Sequence, residues 1–351
     1  MSSTKFFIMV FPLIIFLSGC VTKKIVYNVY YVKPFDWHPE EKRDSTIKFF
    51  APSFQGLKIF LDPGHGGTDR KNKGPQGLAV EADVNLKVAL YLRDYLTKAG
   101  AIVNMSRDRD TFISLDDRSR LANELGADIF ISIHHNAPGR QGDIYTNYTS
   151  TYYHAFTTDY EYDHSSHDIA RYVQRDLAFA MGNSGGLGSF DGTYSDYLIY
   201  PKAGFSVLRK TNSPRILIEC AFHTSAYEEQ RLAIDEFNQI QAWGIFRGLG
   251  RYLRQGIVRL SIPSDTISIS NRKQIDVFID DQNKGIDTTF YIAQIDSQNV
   301  NAKFVINKNE KKLIIPLDPK TKTGVYELKV VVRNINGNHS FPFRRKITFI
   351  N

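Results

Sequence analysis

The chain has 351 residues, more than one hydrophobic core usually organises, so at about 150 residues per domain two domains are expected. Its content of 42% hydrophobic, 23% charged and 13% aromatic residues excludes a disordered or collagen-like design, and two cysteines exclude a disulfide framework. Lys and Arg number 44 against 37 Asp and Glu, a net +7 that suits an anionic partner without identifying one, and no nucleic-acid-binding motif accompanies it.

Residues 1–20 have the order of an export signal: Lys5, an apolar run over 6–17, then Ser18-Gly19-Cys20. About 12 apolar residues are too few to cross a ~30 Å hydrocarbon core. Leu17-Ser18-Gly19-Cys20 resembles a bacterial lipobox. That resemblance implies a signal peptide over 1–19, lipid on the sulfur of Cys20, and anchorage in the cell envelope, on the periplasmic face of a membrane. Residues 20–55, with Pro34, Pro39 and a charged run at 40–44, are weakly periodic and read as a tether.

Between 56 and 255, short apolar runs alternate with helical periods. Strands are expected at 58–61, 101–105, 128–133 and 215–218. Helices are expected at 83–99, from the Ser114 cap to Gly126, at 166–181, and from the Ser225 cap through Leu253. Strands alternating with helices predict an α/β domain with a mostly parallel sheet and helices on both faces. After Gly256 the pattern changes to period 2, at 274–279, 288–295, 302–306, 311–316, 325–334 and 341–349. In the run over 325–334, Tyr326, Leu328, Val330 and Val332 fall on one face, and Glu327, Lys329 and Arg333 on the other, as in a half-buried antiparallel strand. Residues 257–351 therefore read as an all-β, immunoglobulin-like sandwich.

Three strands of the α/β domain run into side chains that ligate metals or move protons. Residues 58–61 lead into Asp62-Pro63-Gly64-His65-Gly66-Gly67, residues 130–133 into His134-His135-Asn136, and residues 216–218 into Glu219. In an open parallel sheet, sites form beyond the carboxyl ends of the strands, so these groups are expected to meet, with Glu81 emerging at the same edge. Zinc hydrolysis needs three His or carboxylate ligands, an open position for water, and a separate carboxylate for protons. His65, Glu81 and His134 fit the first role and Glu219 the second. Period 2 directs His135 to the opposite face from His134, and Cys220 into the core behind Glu219.

The motifs Leu61 to Gly67, Glu81-Ala82-Asp83-Val84-Asn85-Leu86, Ser106-Arg107-Asp108-Arg109-Asp110, 118–123, 130–137 and 207–222 together resemble the zinc-dependent N-acetylmuramoyl-L-alanine amidases of the Amidase_3 type, over residues 56–254. The resemblance implies zinc as cofactor, bound by His65, Glu81 and His134, with Glu219 as the catalytic acid/base. It implies peptidoglycan as substrate, cleaved by zinc-activated water at the amide joining N-acetylmuramic acid to the L-alanine of the stem peptide. Asp62 is expected to orient a histidine, Arg107 to join an ion pair, and Asn136 to contact substrate. Between His134 and Glu219 lies a long interval with a Tyr- and His-rich stretch over 145–167. Some relatives carry an inserted helix there that covers the zinc until a protein regulator moves it. The tyrosines of this stretch offer instead stacking on glycan or packing of a long loop. The competing readings are a zinc peptidase acting on stem peptides and a non-catalytic, peptidoglycan-binding envelope lipoprotein. Retention of all four site residues argues against the latter.

Overall fold

A computed structural model describes residues 26–350, apart from 187, 188, 190, 269–272, 309 and 319. Cys20 and the apolar run of the expected signal lie outside the described residues. In chain order the first part comprises α1 (Glu40–Phe54), β1 (Lys58–Pro63), α2 (Glu81–Lys98), β2 (Ile102–Met105), α3 (Leu115–Glu124), β3 (Ile129–Asn136), β4 (Ser150–Tyr153), α4 (His164–Met181), β5 (Thr193–Ser195), α5 (Ser206–Lys210), β6 (Arg215–Phe222), α6 (Glu228–Leu232) and α7 (Asp235–Arg254). Its strands form one sheet in the order β2-β1-β3-β6-β4-β5, parallel except where β4 pairs with β6.

Alternation along the strands builds two cores. Ile59 and Leu61 of β1, with Ile131 and Ile133 of β3, pack under α1, α2, α4 and α7, whereas Phe60 and Phe130 stack on the other face, beneath α3 and α5. Helices α4 and α7 approach closely because α7 presents glycines to α4. A Cβ at Gly244 would lie 2.7 Å from Leu177 Cα, and one at Gly248 would lie 2.6 Å from Val173 Cα. Ser114 caps α3 by accepting from the Asp117 amide, as expected.

Two expectations are corrected. The stretch read as part of a tether contains α1, whose Ile47, Phe50 and Phe54 are buried, with Phe54 stacked on Phe246 at 5.3 Å. Pro52 and a narrow apolar stripe hide this helix in the sequence, and its seat is supplied by Gly250, where a Cβ would meet the Phe50 ring at 2.6 Å. The single helix expected from Ser225 through Leu253 is two, because the backbone turns extended at Ile234 (ψ 120°) and α7 restarts with Asp235 and Glu236 at its positive end.

The second part holds β7 (Arg259–Ser261), β8 (Thr266–Ser268), β9 (Gln274–Asp280), β10 (Ile286–Ile295), β11 (Gln298–Asn299), β12 (Lys303–Ile306), β13 (Lys311–Pro316), β14 (Gly324–Asn334) and β15 (Phe343–Ile350). They form sheets in the orders β11-β10-β14-β15-β8 and β12-β13-β9-β7, closing on Val277, Leu313, Ile315, Val330, Val332 and Ile347. All pairings are antiparallel except β15 with β8. The face of β14 expected to meet solvent is partly covered. Lys329 is buried and donates to Tyr160 O at 2.6 Å, beside Arg344, which donates to the same carbonyl at 2.8 Å. His339 binds Asp168 of α4 through its backbone and ring nitrogens, both at 2.8 Å.

Candidate metal centre and active site

Parallel pairing sets Asp62 beside Ser132 and His134 beside Glu219, so the carboxyl ends of β1, β3 and β6 carry the candidate side chains to one edge. The ladder shifts register between His134 and Asn136, a bulge of the kind that re-aims side chains at strand ends. After β1 the backbone passes through three consecutive residues of positive φ: His65 at 59°, Gly66 at 120° and Gly67 at 58°. For His65, which carries a side chain, this is a strained conformation of the kind that concentrates at functional sites. Gly64 has no space for a side chain, since a Cβ there would lie 2.1 Å from His134 Cε1.

One ligand atom from each of His65, Glu81 and His134 lies within 4.8 Å of the others. His65 Nε2 stands 3.2 Å from Glu81 Oε2, and His134 Nδ1 stands 3.1 Å from Glu81 Oε1. Burial opposes charge on Glu81, yet the two imidazoles hold its carboxyl well below the usual range. Burial likewise works against a charged His65, but hydrogen bonds to Glu81 and Asp69 raise it to about 9. Two imidazoles and a carboxylate within reach of one another are a donor set of the kind that holds a divalent metal such as zinc. The residues present therefore fit the metal.

Glu219 occupies the neighbouring strand position to His134, and its Oε2 is buried with, among the described residues, no hydrogen-bond partner. Burial, then the charge of Glu81, pushes its carboxyl well above the ordinary range. Cys220 points away into the core and is fully buried, as expected. His135 is also buried, against Asn85 Oδ1 at 2.7 Å and Gln241 Oε1 at 2.8 Å, with burial lowering it to about 4.

Two roles differ from expectation. Among the described residues Asp62 makes no hydrogen bond to a histidine; it is fully buried, pairs with Arg118 Nη1 at 2.6 Å and accepts from Ser106 and Ser132. Arg118 in turn donates to the carbonyls of Pro63 and His65, so Asp62 supports the turn rather than a ring. The histidine-orienting carboxylate is Asp69, at 2.8 Å from His65 Nδ1, which leaves Nε2 to face Glu81. Among the described residues Arg107 joins no ion pair with a carboxylate; it donates to the carbonyls of Pro63, Gly64 and Ala82. Asn136 is half-buried, and its side-chain oxygen accepts from the Ala137 amide at 2.8 Å.

Sequence reasoning missed Asp69, Asn72, Asn85 and His223. Asn72 donates to Glu81 Oε2 at 2.6 Å, and Asn85 links Gly64 O to Glu81 Oε1. His223 donates through Nδ1 to His135 O at 2.8 Å, 4.0 Å from Glu81 Oε2. The available signal was spacing: Asn85 follows Glu81 by one helical turn, Asp69 follows His65 by four, and His223 follows Glu219 at the same sheet edge. The stretch over 145–167 does not form an inserted helix. It supplies β4 and the start of α4, with Tyr152, Tyr153 and Tyr162 buried and Tyr148 packed on Phe222 at 4.6 Å.

Residues 59–251, more than half the chain, match the Amidase_3 family, described as N-acetylmuramoyl-L-alanine amidase. A germination-specific N-acetylmuramoyl-L-alanine amidase of Bacillus subtilis is 27% identical over 254 residues, covering 68% of this chain and 94% of that one. The amidase LytC of the same organism is 34% identical over 199 residues, which are 57% of this chain and 36% of that one. Among solved structures, an N-acetylmuramoyl-L-alanine amidase from Clostridium difficile 630 is similar at 33% identity and a TM-score of 0.48, over 57% of this chain and 98% of that chain.

Proposed function

The chain belongs to the Amidase_3 family of N-acetylmuramoyl-L-alanine amidases, and from that premise we propose that it is a zinc-dependent peptidoglycan hydrolase whose working residues are His65, Glu81, His134 and Glu219. The observation that carries this reading is the convergence of the first three side chains beside Glu219 on the neighbouring strand, whose Oε2 is buried and, among the described residues, has no hydrogen-bond partner. The bond cleaved is the amide between the lactyl group of N-acetylmuramic acid and the L-alanine of the stem peptide.

Zinc bound by His65, Glu81 and His134 would polarise the scissile carbonyl and acidify a water at the site. Asp69 holds a proton on His65 Nδ1, so that Nε2 is the ligating atom. Asn72 and Asn85 fix both oxygens of Glu81. Glu219 accepts a proton from the attacking water and delivers it to the departing L-alanine nitrogen as the C–N bond breaks, leaving a muramic lactyl carboxylate and a free amine. We read residues 56–255 as the catalytic domain, 257–351 as a β-sandwich domain, and Cys20, after removal of residues 1–19, as the lipid-carrying residue that holds the enzyme on a membrane of the cell envelope.

Mass spectrometry of digested peptidoglycan tests the reading. New N-terminal L-alanine with intact glycan is expected, abolished by a chelator; cleavage within the stem peptide instead would mark a peptidase. Glu219→Gln is expected to retain zinc and lose activity by about 100-fold or more. His65→Ala is expected to lose the metal itself, so a fully active His65→Ala would sink the ligand assignment.

A further inference from the structure

Away from the metal centre, the outer side of the α4–α7 pair gathers exposed cations and exposed large apolar side chains on one surface. Phe179 of α4 is 72% exposed, Phe49 of α1 is 57%, and Phe35 of the segment preceding α1 is 79%. Two concavities, of about 590 and 580 Å³, lie among them. The first is lined by Val32, Phe35 and Phe179, the second by Phe49, Arg251 and Arg254, and both include Asp36 and Arg247, so they form one trough. Arg247 lies over the Phe179 ring at 5.9 Å, and Arg254 over the Phe49 ring at 3.8 Å.

Charge on this surface is unbalanced. Arg175, Arg247 and Arg251 surround Asp176 at 3.4–3.6 Å, and Arg247 also binds Asp36 at 3.2 Å. Arg254 has the Phe49 ring and, among the described residues, no salt bridge. Four guanidinium groups therefore answer two carboxylates, and Asp176 is itself buried. Isolated exposed apolar residues are ordinary, but aromatic rings interleaved with arginines are the composition of a headgroup-level surface. The rings sit at the interfacial depth while the guanidinium groups pair with phosphates. The segment over 26–38 crosses this same surface, tied down by Tyr31 to Glu236 at 2.8 Å and by Asp36 to Trp243 at 3.1 Å. The chain that precedes it includes Cys20 and the apolar run over 6–17.

We infer that this face docks on an anionic phospholipid bilayer, and that the lipid anchor proposed at Cys20, on which this inference builds, delivers it there. The metal centre lies beyond the strand ends and not on the outer helical face, so docking leaves it open to the wall. The test uses the mature chain, residues 20–351, carrying Cys20→Ala throughout, so that neither the signal peptide nor an acyl chain contributes, sedimented with vesicles of phosphatidylcholine alone or mixed with phosphatidylglycerol. Preference for the phosphatidylglycerol vesicles, weakening with salt, is expected. Arg251→Glu with Arg254→Glu is expected to lower that partition by about tenfold or more. Phe35→Ser with Phe179→Ser, at positions already exposed, is expected to lower it severalfold, and both pairs should keep activity on purified peptidoglycan. Partition unchanged in both pairs, equal binding to the two vesicle types, or capture by purified sacculi through the same arginines without vesicle binding would each overturn the inference. The anchor is judged separately, by the mass of the wild-type N-terminal peptide, so the two can fail independently.

Discussion

Gly64 shows how a residue without a side chain can be as demanding as a ligand. Any Cβ there would fall inside the His134 ring, at 2.1–2.5 Å from three of its atoms. Gly64→Ala is therefore expected to displace His134 and cost about 100-fold in activity, with zinc content falling in parallel and the circular dichroism spectrum retained, since a shift of about 1 Å at a reacting centre carries a penalty of that order. Wild-type zinc content in this variant would refute the argument. His65, His134 and Glu219 were legible in sequence because they lie at or beyond the ends of parallel strands that share an edge, and Glu81 because it opens the helix that starts at that edge. Asp62 misled because adjacency to His65 in sequence is not contact: along an extended strand its carboxyl turns inward to Arg118, while Asp69 returns to the ring after the glycine turn.

At the scale of elements, the helix layer depends on glycines that helix propensity disfavours. Substituting alanine for a helical glycine would on propensity alone stabilise by ~1 kcal/mol. At Gly248 the added methyl meets backbone of α4 at 2.6 and 2.8 Å, and overpacking of this kind costs about 1–3 kcal/mol. Overpacking is expected to win, because neither contact is the end of a flexible side chain. Gly248→Ala should lower the thermal midpoint, and a raised midpoint would show that α4 yields. Strands β9, β10, β13 and β14 were readable almost to the residue because two-sided alternation over six or more positions has few competing interpretations. The short β7, β8 and β11 were not, since two or three residues carry no period. Helix α1 was missed for a different reason: its partner is a gap left by Gly250, which no local pattern reveals.

For the whole molecule, the joint between the α/β part and the β-sandwich carries a half-buried histidine. His164, at the start of α4, lies 4.8 Å from the His339 ring and 6.1 Å from Phe290 by ring centroids, with its Nδ1 buried and, among the described residues, without a hydrogen-bond partner. Burial, then repulsion from His339, lowers it from 6.5 to about 4. Between those values the unfolded chain binds a proton that the folded chain refuses, so stability falls as pH drops through this window. In urea unfolding compared at pH 7 and pH 5, the wild type should lose about 1–2 kcal/mol more than His164→Gln. Equal losses would remove His164 from the account. The covered face of β14 belongs to the same joint: period 2 correctly marked Lys329 as opposite the sandwich core, but not that Tyr160 would be waiting there. Finally, the packing of α1 and of the segment before it sets a working distance. With the lipid proposed at Cys20, six residues of chain, 21–26, run from the attachment point through Val26, a contour of at most ~20 Å. An enzyme attached in that way would act on the wall strands nearest its own membrane, with an outward reach set by the span of its folded body.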